Sequence, residues 1–254
     1  FILAGEIISR GRTAKDIVRL SEAIVGWTSG GLGTATIFGC FFFAGTSGSS
    51  SADTITIGRI MIPAMRTRGY NASYAASLAA SGGILGVIIP PSLIFIIYGI
   101  STSTSIGELF IAGIIPGLLI ALTLSISNSL VCRYSTWALV DKKLFSFRKL
   151  LSALWHAKWG LGAPLIILGG IYGGIFTPTE AAAVAVFYVL LVETVINKEL
   201  GIRDIISSLT RAAIVTGILG PIIAFSILFG ETLAILRVPG NVVNCFVSMS
   251  LGHI

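Results

Sequence analysis

Residues 44–53 interrupt an apolar stretch with Ala44-Gly45-Thr46-Ser47-Gly48-Ser49-Ser50-Ser51-Ala52-Asp53. The flanks, residues 38–43 and 55–64, are apolar enough to sit in lipid. A run of glycine and serine does not hold a regular helix cheaply, and lipid offers the freed N–H and C=O groups no partner. Such backbone is stable at membrane depth only where it is buried in protein or lines a watery cavity. The pattern predicts a helical hairpin with a polar tip, the form of an ion or solute site within a membrane.

Composition narrows the class. Of the 254 residues 54% are hydrophobic and only 11% charged, where a soluble domain carries about a quarter charged. Long apolar blocks rather than alternation point to an all-α polytopic membrane protein, not a β-barrel. The net charge of +6 does not indicate nucleic acid, because the basic residues cluster in short connections between apolar blocks, as a positive-inside bias requires. Cys40, Cys132 and Cys245 are far apart in apolar runs and imply neither a disulfide framework nor a metal site. The chain opens at Phe1 inside an apolar run and closes at Ile254 beside another, and reads as an internal piece of a longer protein.

Six segments follow along the chain. Residues 1–23 are the end of a spanning helix and an amphipathic interfacial arm, with Arg10, Arg12, Lys15 and Arg19 opposite Ile17, Val18, Leu20 and Ile24; a solvated cytoplasmic helix is the alternative. Residues 24–69 form the re-entrant hairpin, whose second limb, 53–65, is too short for a core of ~30 Å. Residues 70–131 hold a helix broken at Pro90-Pro91-Ser92 and the span after it. Residues 132–159 are a basic cytoplasmic connection with Arg133, Lys142, Lys143, Arg148 and Lys149. Residues 160–197 are two spans around a Thr-Pro-Thr-Glu turn, and 198–254 are a connection and the truncated start of a further repeat. Every basic cluster then falls on one face. Ser105 with Glu108, and Thr177 with Glu180, have capping-box spacing, with Pro178 at the first helical position; Thr177, Pro178 and Glu180 are therefore read as a structural motif.

Four stretches occur in order: Ser47-Gly48-Ser49…Ala52-Asp53 with the exit Ile62-Pro63-Ala64-Met65-Arg66; Gly86-Val87-Ile88-Ile89-Pro90-Pro91-Ser92; Gly113-Ile114-Ile115-Pro116-Gly117; and Gly170-Ile171-Tyr172-Gly173-Gly174-Ile175-Phe176-Thr177-Pro178-Thr179-Glu180-Ala181-Ala182-Ala183. Together they resemble the large membrane subunit of tripartite ATP-independent periplasmic (TRAP) transporters, the C4-dicarboxylate and sialic acid type. The resemblance implies an inverted-repeat, elevator-type importer in a bacterial inner membrane, multi-pass and not an enzyme. It implies sodium as coupling ion, no other cofactor, and a carboxylate-bearing solute (a C4-dicarboxylate, keto acid or sialic acid) handed over by a periplasmic binding protein. A small membrane subunit would be its partner in the bilayer. The second hairpin and second broken helix expected of such a protein would lie beyond Ile254.

Site chemistry follows from the hairpin. A half-helix ending at Ala44-Gly45 would offer free carbonyls at its negative end, which favour a cation. Sodium, a hard ion, would find oxygens at Gly45, Ser47, Ser49, Ser50 and Asp53, with Gly48 and Ser51 completing the tip. The half-helix starting near residues 50–53 would aim N–H groups at a carboxylate, and Ile89, Pro90, Pro91 and Ser92 would close the site from across. Asp53 has two readings, ion ligation or a capping box with Ser50. Arg59 reads as a snorkelling or acid-paired cation.

Two alternatives come from other classes. Gly45-Thr46-Ser47-Gly48 matches the Gly-x-Ser-Gly pattern of intramembrane serine proteases, but such chemistry needs a base beside the serine, and the histidines are His156, in a basic connection, and His253, near the end of the chain. An ion channel is the other; it would carry current without exchange.

Overall fold

The computed structural model describes residues 1–135 and 145–248, with side chains to 244. Among the described residues all regular structure is helical. The elements are α1 Ile2–Arg10, α2 Arg12–Val25, α3 Gly31–Ser47, α4 Ser50–Thr67, α5 Ala72–Gly83, α6 Leu85–Ile88, α7 Leu93–Thr102, α8 Ile106–Tyr134, α9 Phe147–Tyr172, α10 Pro178–Leu191 with a π-helical turn Val192–Ile196, α11 Ile202–Ile235 and α12 Val238–Ser248. One compact unit covers Phe1–Ala212 and a second begins at Ala213. Lys142, Lys143 and His253 lie outside the described residues, as does the Cys245 side chain.

Four helical stretches are long and apolar enough to cross a membrane: Ala72–Thr102, Ile106–Tyr134, Pro178–Ile196 and Ile202–Ile235. The chain is thus an all-α, multi-pass membrane protein. The first stretch is the α5–α6–α7 series. It is interrupted because Pro90 and Pro91 cannot donate to a preceding turn, so α6 stops at Ile88 and α7 restarts from Ser92. Ser92 is fully buried; its hydroxyl donates to the Val87 carbonyl (2.7 Å) and caps Phe95 N–H.

The hairpin is α3 and α4. With 17 and 18 residues, they reach about 25 and 27 Å at 1.5 Å per residue, short of a ~30 Å core. Phe43, Ile57, Met61 and Met65 are fully buried in the core that α3 and α4 share with α5. At the entrance Gly30 takes φ +73°, a conformation open to glycine, before α3 begins. Asn128 of α8 then pins that start. Its Nδ2 donates to the Gly30 carbonyl (2.9 Å) and to Thr34 (3.0 Å), while its Oδ1 accepts from Tyr74 (2.9 Å).

Several expectations change against this frame. α2 does not offer its apolar face to lipid: Ile17, Val18 and Leu20 are buried, and the helix packs on α3 and α9. Asp16 (3% exposed), buried beside that face, is paired with Arg12 and Arg19 of the same helix. The basic connections are partly helical. α9 begins at Phe147 rather than near Gly160, and α11 at Ile202 rather than Ala212, since Leu, Ala, Lys and Arg propagate a helix as readily as apolar residues do. α9 is not among the four spans, because its first half carries Arg148, Lys149, His156 and Lys158. At Ser105 only the serine half of the box forms, to Glu108 N–H (3.4 Å). At Thr177 both halves form, with Pro178 at the start of α10.

Candidate functional site

α3 runs to Ser47, two residues past the expected end at Gly45, and stops because Gly48 turns left-handed at φ +62°. Gly48 N–H takes the Ala44 carbonyl (3.3 Å). The last carbonyls of a helix have no donor within it, so those of Gly45, Thr46 and Ser47 stand open at the tip. Ser49 is then extended (φ −140°, ψ 121°) and α4 begins at Ser50 without a side-chain cap. The first N–H groups of α4, residues 50–52, are accordingly open as well.

The predicted Ser50–Asp53 capping box is absent. Asp53 is instead fully buried, with Oδ1 accepting a short hydrogen bond from the Ser47 hydroxyl, and Oδ2 has no hydrogen-bond partner. Ser47, the last residue of α3, takes the place of the local cap, because both its side chain and that of Asp53 are buried at the tip. Ser47 is itself buried. Ser49 and Ser50 are half-buried, and Ser51 is exposed, its hydroxyl 3.1 Å from that of Ser49. Of the five oxygen donors named from sequence, Ser47 and Asp53 are held together in the interior. Ser50 contributes a carbonyl to Thr54 (2.8 Å) rather than a hydroxyl to Asp53.

The Pro-Pro break meets this tip. Leu93 N–H donates to the Gly48 carbonyl (3.3 Å), and a Cβ on Gly48 would lie 2.7 Å from the Pro91 carbonyl oxygen. Ile89, Pro90, Pro91 and Ser92 are all buried. Gly45 backs onto Pro164 of α9, where a Cβ would meet the ring at 3.1 Å. Beside Gly45 and Pro90 an apolar cleft of about 320 Å³ is lined by Phe41, Phe42, Pro164 and Leu165; it carries no charged group.

Two site glycines escaped the sequence reading. A Cβ on Gly86 would overlap Asp53 Oδ2 and sit 2.8 Å from the Ser49 carbonyl, and one on Gly83 would overlap the Thr54 hydroxyl. α5 and α6 are therefore seated against the tip with glycine backbone where any side chain would intrude. The available signal was the recurrence of glycine, Gly82, Gly83 and Gly86, inside an otherwise apolar block. Arg59 is exposed on α4 and makes no ion pair among the described residues.

This arrangement suits a small hard cation: one carboxylate oxygen without a partner, one hydroxyl, and helix-end carbonyls, all oxygen. Among the described residues no three His, Cys, Asp or Glu side chains come together, so nitrogen- or sulfur-ligated metal chemistry has no cluster there. Nor, among the described residues, does serine-protease chemistry find its base: the Ser47 hydroxyl is committed to Asp53, while exposed His156 places Nδ1 2.7 Å from the Ser152 carbonyl.

A helical hairpin meeting a broken helix, with a buried carboxylate between them, is an arrangement found in membrane transport proteins. Comparison with known proteins gives the particular family. All 254 residues match the family described as tripartite ATP-independent periplasmic transporter, DctM component, and the chain belongs to that family. It is 38% identical over 256 aligned positions to the isethionate TRAP transporter permease protein DctMQ of Oleidesulfovibrio alaskensis, covering all of this chain and 40% of the relative. To the C4-dicarboxylate large permease protein DctM of Vibrio cholerae it is 43% identical over 79% of this chain and 44% of the relative. To the sialic acid permease protein SiaT of Haemophilus influenzae it is 33% identical, over 98% and 40%. The chain thus spans about half the length, or less, of these relatives. They are permeases, not enzymes, and with the apolar helices they place the chain in a bacterial inner membrane.

Proposed function

We propose that the full-length protein imports an anionic, carboxylate-class solute together with sodium, by an elevator movement of the hairpin and broken helix. A periplasmic binding protein delivers the solute and a small membrane subunit accompanies the permease, as the tripartite family description supports; relatives named for C4-dicarboxylate and sialic acid support a carboxylate, while the one named for isethionate, a sulfonate, supports an anion more broadly. One observation carries the coupling reading. Asp53 Oδ2 is buried without a hydrogen-bond partner, beside the Ser47 hydroxyl and the open end of α3. An isolated buried carboxylate is costly, and a cation seated there offsets that cost. Sodium would be held by Asp53, Ser47 and the carbonyls of residues 45–47, while the uncapped start of α4 would face the solute carboxylate. Binding the cation first would neutralise Asp53 and let the anion approach the tip, which couples the two.

The test is uptake into proteoliposomes that hold the full-length protein and its small subunit, with the binding protein and a labelled C4-dicarboxylate or sialic acid outside. Uptake is expected to require an inward sodium gradient, to saturate, and to show counterflow. Equal uptake in potassium-only buffer would remove sodium from the mechanism.

A further inference from the structure

Away from the hairpin tip, α2 and the start of α9 enclose an open groove of about 640 Å³, lined by Arg19 and Glu22 of α2 and by Arg148, Lys149, Ser152 and His156 of α9. We infer that this groove binds the phosphate of an anionic lipid headgroup.

Charge is the first argument. The lining sets three fixed cations against one carboxylate, Glu22, and Arg19 already shares Asp16 with Arg12. Among the described residues neither Arg148 nor Lys149 makes an ion pair, and both are exposed. Their placement is electrostatically adverse within the chain. They occupy the first turn of a 26-residue helix, whose end is positive, and that turn has no acid and no side-chain cap from Ser146. An anion in the groove reverses the sign of that interaction, meeting both side chains and uncapped N–H groups at once. His156 adds a donor or acceptor. Its Nδ1 is engaged with the Ser152 carbonyl, which requires Nδ1 to carry the proton and leaves Nε2 for the groove.

Depth is the second argument, and it selects lipid over a free anion. Trp155 and Trp159 flank His156, the last lining residue along α9, both with exposed rings, and Lys158 lies 3.5 Å from the Trp155 centroid. Past α2, Trp27 is half-exposed and stacks edge-on with Phe145 at 6.1 Å. Tryptophan gathers at the headgroup level, and beyond Trp159 the helix turns apolar from Gly160 onward. The groove therefore sits just on the aqueous side of the aromatic belt, where a lipid phosphate resides. Basic pockets between helices on the cytoplasmic side are suited to such headgroups.

A phosphate anion could also come from solution, and the experiment separates the two sources. Full-length protein in neutral detergent is titrated with phosphatidylglycerol, phosphatidylcholine or sodium phosphate, and bound lipid is counted by native mass spectrometry. Phosphatidylglycerol is expected to bind in preference to phosphatidylcholine. R148Q/K149Q should weaken it roughly fivefold per cation, on the order of 25-fold in all, with phosphatidylcholine binding unchanged. Removing cations from a helix start does not weaken the helix, so the unfolding midpoint in phosphatidylcholine should match wild type. Wild-type affinity for phosphatidylglycerol in the double variant overturns the site. Displacement of the lipid by millimolar sodium phosphate overturns the lipid as its occupant.

Discussion

Asp53 and Ser47 form a pair whose two members come from different helices, separated by six residues and a left-handed glycine. Replacing the carboxylate with its amide keeps the shape and removes the charge, so Asp53→Asn isolates the electrostatic role. Hydrogen bonds and contacts to a charged group are worth about 1.5–3 kcal/mol, which predicts a loss of roughly tenfold to a hundredfold in apparent sodium affinity with near-normal yield. Sodium-dependent uptake checks this, and an unchanged sodium dependence would reassign Asp53 to a structural role. Ser50→Ala should be far milder, since its hydroxyl does not reach Asp53. Gly86→Ala supplies a test of opposite sign to propensity. In a free helix the change stabilises by about 1 kcal/mol; here the new methyl overlaps Asp53 Oδ2, and overpacking costs about 1–3 kcal/mol. Sodium affinity should fall although helix propensity rises, and a fully active Gly86→Ala protein would contradict the close seating of α6 on the tip.

At the scale of elements, the arm α2 is held by a residue far away in sequence. Glu193, fully buried in the π-helical turn after α10, accepts from the Arg12 and Thr13 backbone N–H groups at 3.1 Å each and from Asn197 at 3.0 Å. It thereby caps the start of α2 from outside, and a Cβ on Gly11 would overlap its carboxylate. Glu193→Ala strands two N–H donors, at about 1–3 kcal/mol each, and should lower the unfolding midpoint of the full-length protein. Glu193→Gln keeps one acceptor oxygen and should lose less. Equal stability of all three would mean that α2 does not depend on this cap. Local elements were legible in the sequence where the chemistry is local: Thr177 and Glu180 three residues apart, Pro90-Pro91 in an apolar block, glycine and serine between two apolar limbs. What was not legible depends on partners distant in the chain. Nothing near Glu193 names residues 12 and 13, and the Ser50–Asp53 spacing suggested a cap that Ser47 displaces. The basic stretches before Gly160 and Ala212 read as connections because charge between apolar blocks is a loop signal, whereas Lys and Arg also extend a helix.

For the whole molecule, the sidedness of the hairpin is the consequence that everything else shares. In the elevator reading proposed above α3 and α4 turn back within the bilayer, so Trp27 at one end and Thr67 at the other would lie on the same side. Arg66 and Arg68 flank the exit and Arg10, Arg12, Lys15 and Arg19 the entrance, and such basic flanks would put that side in the cytoplasm. The span Ala72–Thr102 would then carry the chain across and put the loop at residues 103–105, free of Lys and Arg, in the periplasm. Single cysteines in a chain whose Cys40, Cys132 and Cys245 are replaced test this without reference to transport. An impermeant thiol reagent should label Ser103→Cys in right-side-out vesicles, and Thr67→Cys and Lys149→Cys only in inverted ones. Ser49→Cys, half-buried at the tip against Gly86 of α6, should label more slowly than any of the three. Labelling of Thr67→Cys from the periplasm would make α4 a crossing helix and put Asp53 on an ordinary surface turn. The orphaned carboxylate, the open carbonyls and the glycine seat would then have no common purpose, because they are explained together only if the chain turns back inside the membrane.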